Sequence, residues 1–295
     1  MPAGRAATGS SLLFLVLWAC APTPSPADGH DDLVLFASDA NDAGDILAVP
    51  LLGGPLQMIC AGPGPQGSPR IRPAQQSGVY ADFATDPAEA RRLPGCESLG
   101  PFDGEALPVW LPQSDRVSAG NAESGDVTLA SALGRPAAAP VIMSDAIERY
   151  PAWSGDETRL AFARRTEAGW SLVVHEMATG QERVYLDGAT YLGHPAWSPN
   201  NDRLAFDMFV DGDAEIFTLE LASGEARRWT ARPGHDLASA WSSTGQHLVF
   251  TGLPADSEAR DIFRIDLGSG AITNLTTSPA NETGPVILPA SWLED

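Results

Sequence analysis

The apolar positions of the second half of the chain fall into short runs that recur at a fixed interval. Leu160-Ala-Phe162, Leu204-Ala-Phe206 and Leu248-Val-Phe250 each begin seven residues after a tryptophan, and Trp153, Trp197 and Trp241 are spaced 44 residues apart. The tryptophans sit in Pro151-Ala-Trp-Ser154, Pro195-Ala-Trp-Ser198 and Ser239-Ala-Trp-Ser242. Turn-forming residues (Ser-Gly-Asp, Ser-Pro-Asn, Ser-Ser-Thr-Gly) separate each tryptophan from its run. Next come alternating segments, Ser171–Met177, Glu215–Leu221 and Asp261–Leu267, followed by Gly180, Gly224 and Gly270. Alternation with β-branched and aromatic residues predicts strands. A last strand is predicted near Val184-Tyr-Leu186, Trp229-Thr230 and Leu275-Thr276. Four short strands in each unit of about 44 residues are the signature of a propeller blade.

The flanks continue in phase. Trp110 lies 43 residues before Trp153. Leu33–Phe36, the Asp-rich turn 39–45 and Ile46–Val49 form a unit without a first strand, and Pro289-Ala-Ser-Trp292 near the C-terminus offers the missing one. Units starting near 33, 73, 110, 153, 197 and 241 make an all-β, six-bladed propeller over 33–295, its first blade completed by 286–293. Such closure removes sheet edges, which are sites of aggregation. Pro87, Pro94 and Pro101 imply irregular loops in the second unit. One tryptophan per blade (Trp110, Trp153, Trp197, Trp241 and Trp292) is expected to wedge between blades as core.

Pro195-Ala-Trp-Ser-Pro-Asn-Asn201, with Leu204-Ala-Phe206 and Asp211-Gly-Asp-Ala-Glu-Ile216, resembles the TolB-type propeller repeat, also described as WD40-like or PD40. The resemblance covers about Tyr150 to Thr276 and implies the fold. TolB carries an α/β domain ahead of its propeller, and some peptidases carry an α/β-hydrolase domain after theirs. Neither is read here, so the TolB role and its peptidoglycan-associated lipoprotein partner do not carry over.

The apolar run Ser11–Trp18, preceded by Arg5, is too short to span a bilayer and has the pattern of a secretory signal. Leu17-Trp18-Ala19-Cys20 resembles a bacterial lipobox, which implies cleavage before Cys20 and acylation there. The expected organisation is a signal peptide over 1–19, a lipidated Cys20 with a Pro-rich tether over 20–32, and the propeller over 33–295. Ala21 after the cysteine points to the periplasmic face of the outer membrane. Cys60 and Cys96 are left over in an oxidising compartment, either as a disulfide or as two buried thiols.

The 38 acidic residues against 18 basic ones, all arginine, give a net charge of −20. That field repels nucleic acid and anionic headgroups, so contact with the membrane is expected through the lipid only. No G-x-S-x-G, H-E-x-x-H or phosphate-loop motif occurs. His175 aligns with Leu219 and Ile265 and reads as core, and His247 as peripheral. His194 and His235, with Arg149, Tyr150 and Asp236, lie in the segments leading into the tryptophan strands. Equivalent segments of a propeller converge at one mouth of its channel, and these five are the candidate binding residues. TolB-like oligogalacturonate lyases hold a metal in that region with several histidines; here there are two. Asp-rich turns at 39–45 and 211–213 raise calcium, but the helix–loop–helix setting of an EF-hand is missing, and no cofactor is expected. The favoured function is a non-catalytic scaffold for a protein or cell-envelope ligand. The alternative is a metal-dependent lyase or hydrolase acting on a saccharide at the channel mouth. Convergence of His194, His235 and carboxylates within ligand distance of one point would favour the enzyme.

Overall fold

The computed structural model describes residues 32–40, 44–61, 69–72, 76–82, 89–93, 95–101, 109–113, 116–120, 127–131, 140–254 and 257–293. The signal segment, Cys20 and the tether as far as residue 31 lie outside the described residues, and Trp110 is described in its backbone alone.

The strands are β1 (Asp32–Ser38), β2 (Asp45–Pro50), β3 (Gln57–Ala61), β4 (Arg70–Arg72), β5 (Ser77–Asp82), β6 (Glu89–Leu93), β7 (Ser98–Pro101) and β8 (Val109–Trp110). They continue with β9 (Arg116–Gly120), β10 (Val127–Ser131), β11 (Pro140–Ile142), β12 (Ile147–Trp153), β13 (Arg159–Thr166), β14 (Gly169–Glu176), β15 (Glu182–Ala189) and β16 (Leu192–Trp197). The last are β17 (Arg203–Val210), β18 (Asp213–Glu220), β19 (Ala226–Arg228), β20 (Gly234–Trp241), β21 (His247–Pro254), β22 (Asp261–Asp266), β23 (Ile272–Asn274) and β24 (Glu282–Pro289). They form six four-stranded sheets, five from consecutive strands and one in the order β24-β1-β2-β3. All pairings are antiparallel, as connections this short require.

The first strands of the sheets succeed one another in space. β4 touches β24 and β8, β12 packs on β9, β16 on β12, β20 on β16, and β24 on β20. Apolar side chains fill the spaces between the sheets. Phe36, Phe162, Phe206 and Phe250 hold the same place in the second strands of four sheets, and all are fully buried. Trp153, Trp197 and Trp241 each end a first strand, and each indole N–H reaches back to the preceding sheet: to Ser118 Oγ at 2.9 Å, Ala152 O at 2.9 Å and Ala196 O at 3.0 Å. The outer face of the wedge is covered by arginine, with Arg159 over Trp197 and Arg203 over Trp241, each 4.6 Å from the ring centre.

Three sequence expectations shift. The C-terminal strand that joins β1 is Glu282–Pro289, four residues earlier than expected, with Val34 opposite Ile287 and Leu35 opposite Val286. Ile287 therefore occupies the place that Trp153 and Trp241 hold in their sheets, and it packs with Phe36, Val249 and Ile262 between the first and last sheets. Trp292 is no wedge there. It lies in the 3₁₀ turn Ala290–Leu293 and packs beside Leu93, Cys60 and Cys96, where the first sheet meets the second. Finally, β19 and β23 end before Trp229-Thr230 and Leu275-Thr276, because the threonine hydroxyls accept the N–H groups of Ile216 and Ile262 (2.9 Å each) in place of a ladder bond.

Cys60 of β3 and Cys96, in the turn before β7, form a disulfide with Cα atoms 6.0 Å apart. The bond ties the first sheet to the second.

Candidate functional site

The first strand of each well-described sheet carries a bulge three residues before the wedge position. The pairing slips between Arg149 and Ala152, Gly193 and Ala196, Leu237 and Ala240, and opposite Leu35–Ala37. Tyr150, His194, Ala238 and Gly284 occupy these bulges with φ of 56°, 47°, 53° and 63°. Only Gly284 adopts that left-handed conformation without cost; elsewhere packing must hold it. A bulge frees a backbone N–H from the ladder, and the neighbouring sheet supplies an acceptor. Gly284 N donates to Thr251 Oγ1 at 3.2 Å, and Ala238 N donates to Asp207 Oδ1 at 3.0 Å.

Two of the bulge side chains meet. The rings of Tyr150 and His194 lie 4.2 Å apart between centres. His194 Nδ1 is 2.8 Å from Asp207 Oδ1, so it carries the proton and donates it to that carboxylate. The Tyr191 hydroxyl sits 3.5 Å from the same nitrogen. Gly193 permits this approach, since a Cβ there would fall 2.5 Å from the Tyr191 oxygen and 3.1 Å from the Tyr150 ring. Burial pushes the Tyr191 hydroxyl well above its usual range, helped by the Asp207 charge and by Tyr150. Tyr191 also meets Phe209 edge-on at 5.4 Å, and Phe209 meets His235 at 5.3 Å. The result is a continuous, half-exposed surface of five rings drawn from three sheets, with fully buried Asp207 beneath it.

The Nδ1 atoms of the two histidines have different partners. His194 is committed to Asp207, whereas His235 Nδ1 accepts the Ala214 N–H at 3.1 Å and lies 3.6 Å from Asp213. Among the described residues no group of three or more His, Cys, Asp or Glu is placed to hold a metal ion. Asp211, in the second Asp-rich turn, is paired with Arg228 at 2.9 Å. Arg149 is exposed beside Tyr150.

Asp236 is not a surface group, contrary to its place among the candidates. It is fully buried and held by two nitrogens of Arg232, Nη2 at 2.5 Å and Nε at 3.1 Å. Burial pushes its carboxyl up to about 6; Arg232 opposes the rise, and the negative Glu215 adds to it. It belongs to a row, because Glu148, Asp236 and Glu282 all stand five residues before the wedge position and are all buried. Their partners four residues earlier are Ser144, Arg232 and Ser278. In the intervening sheet that place is Leu192, and the acid appears instead as Asp207 on β17. The residues missed from sequence are thus Asp207, Tyr191 and Phe209. One signal was present: Asp207 stands where the repeat has Ala163 and Thr251.

The family model for the TolB β-propeller domain (PD40) matches residues 134–291. Among solved structures, TolB from Acinetobacter baumannii superposes with a TM-score of 0.72 at 13% identity, over 88% of this chain and 67% of that one. A protein assigned as TolB from Agrobacterium tumefaciens gives 0.61 at 14% identity, over 83% and 88%. An oligogalacturonate lyase in complex with manganese gives 0.50 at 15% identity, over 83% and 73%. At such identities the likeness is one of fold. No curated protein matches the chain.

Proposed function

The chain belongs to the TolB β-propeller family, and on that premise we propose that it is a non-catalytic binding scaffold in the cell envelope. In this reading the six sheets are blades of a ring closed by β24, and a lipid on Cys20 holds the ring at the periplasmic face of the outer membrane. The ring-faced surface formed by Tyr150, Tyr191, His194, Phe209 and His235 receives a protein or cell-envelope ligand. That surface is the observation that carries the proposal: half-exposed aromatic groups, gathered from three sheets, have the amphipathic character of protein-binding hot spots. Aromatic faces, rather than a cluster of ligating atoms, make up this surface, and that supports a scaffold over a saccharide-cleaving enzyme. No described helix is long and apolar enough to cross a membrane, and the tether relies on Leu17-Trp18-Ala19-Cys20 for its attachment.

The experiment is crosslinking in intact cells with the full-length chain, followed by mass spectrometry. The wild type is expected in the membrane fraction with an acylated Cys20 and a crosslinked partner. Cys20→Ser should release it from the membrane, and Phe209→Ala should deplete the partner. Cleavage of an acidic polysaccharide with added manganese, lost in His194→Ala, would overturn the proposal in favour of the lyase.

A further inference from the structure

We propose that the surface over Asp207 recognises a cationic side chain, the ammonium of a lysine or the guanidinium of an arginine, on a protein partner. The inference rests on the scaffold reading and specifies the chemistry of what is bound.

The first argument concerns the spare half of a carboxylate. Asp207 accepts His194 Nδ1 and Ala238 N on Oδ1 and interacts with the Tyr191 hydroxyl, while Oδ2 is buried without a hydrogen bond of its own. Capping the neighbouring bulge does not require a carboxylate, since Thr251 caps the bulge at Gly284 with a hydroxyl. The corresponding positions of β13 and β1 are Ala163 and Ala37. Holding a buried carboxylate with one oxygen unsatisfied is costly, and a cation over the rings would offset part of that cost through space.

The second argument concerns the rings. Elsewhere this chain lays an arginine over its aromatic groups: Arg159 on Trp197, Arg203 on Trp241, Arg165 on Trp170, Arg183 on Tyr185, Arg227 on Trp229 and Arg232 on Phe263. Among the described residues, none of the rings at the site carries such a guanidinium. Tyr150, Tyr191 and Phe209 therefore offer π faces to a cation from outside, backed by the fixed charge of Asp207. The net charge of −20 draws basic partners toward the molecule. Tyr191 and His194 lie between Asp207 and solvent, so the cation would sit against the ring faces and feel the carboxylate from behind them.

The test is calorimetric titration of the exported full-length protein with tri-lysine, using tri-glycine as the neutral control. Tri-lysine should bind the wild type, more weakly as salt rises. Asp207→Thr, which keeps a bulge acceptor, should weaken binding at least tenfold. Glu225→Gln, an exposed acid far from the site, should bind as the wild type does. Phe209→Ala is a second variant that leaves Asp207 in place, and it too should weaken binding. Equal affinity for wild type, Asp207→Thr and Phe209→Ala would overturn the inference, as would no binding of tri-lysine. A crosslinked partner without tri-lysine binding would sink the cationic specificity and leave the scaffold standing. Site-dependent tri-lysine binding without any partner in cells would do the reverse.

Discussion

The indole nitrogen of Trp241 donates to the carbonyl of Ala196, 3.0 Å away in the preceding sheet, so the wedge is fixed by a directed bond as well as by its bulk. Trp197 repeats the arrangement on Ala152 at 2.9 Å. Trp241→Phe keeps a ring but orphans the carbonyl, and should cost about 1–2 kcal/mol. Trp241→Ala should cost about 3–5 kcal/mol, because a cavity opens between two sheets. Urea denaturation of both variants checks the ranking, and a Trp241→Phe variant as stable as the wild type would mean that the bond contributes nothing.

Removing 282–295 takes away β24, exposes the edge of β1 and empties the Ile287 position between the first and last sheets. Total stability is only about 5–15 kcal/mol, so this truncation should give an aggregating or protease-sensitive product. Removing 290–295 deletes only the 3₁₀ turn with half-buried Trp292, and should leave a folded protein weakened by about 1–3 kcal/mol. Limited proteolysis and thermal melts of the two forms distinguish a closing strand from a dispensable tail.

The Cys60–Cys96 bond spans 36 residues of sequence. Its chain-entropy contribution is about 3–4 kcal/mol. Peptide mapping without reductant should recover the linked pair, and Cys60→Ala with Cys96→Ala should lower the melting temperature. Alkylation of both cysteines in the native exported protein would refute the pairing.

Asp236 titrates near 6 in the folded protein, above the range of an unfolded carboxylate, so the native state holds its proton more tightly. Its contribution therefore favours folding at low pH and fades as pH rises from about 4 to about 6. The fade is on the order of 3 kcal/mol at most. Asp236→Asn cannot ionise, and its unfolding free energy should lack this decline. Parallel stability curves for wild type and variant across that interval would show that the group does not titrate there.

Much of this architecture is legible in the sequence, because its causes are local. A strand needs only alternation, a hairpin only its turn residues, and a 44-residue period displays both three times over. Those features sufficed for the sheets, for the wedges Trp153, Trp197 and Trp241, and for an incomplete first unit that needed a C-terminal strand. The bulges were not legible, since a one-residue slip leaves little trace in composition; only Gly284 hints at the φ it adopts. Yet the slip decides which side chain faces which neighbour, and so it brings Tyr150 onto His194 and frees the Ala238 N–H for Asp207. Tertiary packing likewise seated Ile287 rather than Trp292 in the last wedge, joined Cys60 to Cys96, and sank Asp236 beneath the surface that its position suggested. The seating of Ile287 and the Cys60–Cys96 bond are contacts between sheets, set by how separate pleated surfaces meet in space, whereas the repeat in the sequence records only how each sheet is made.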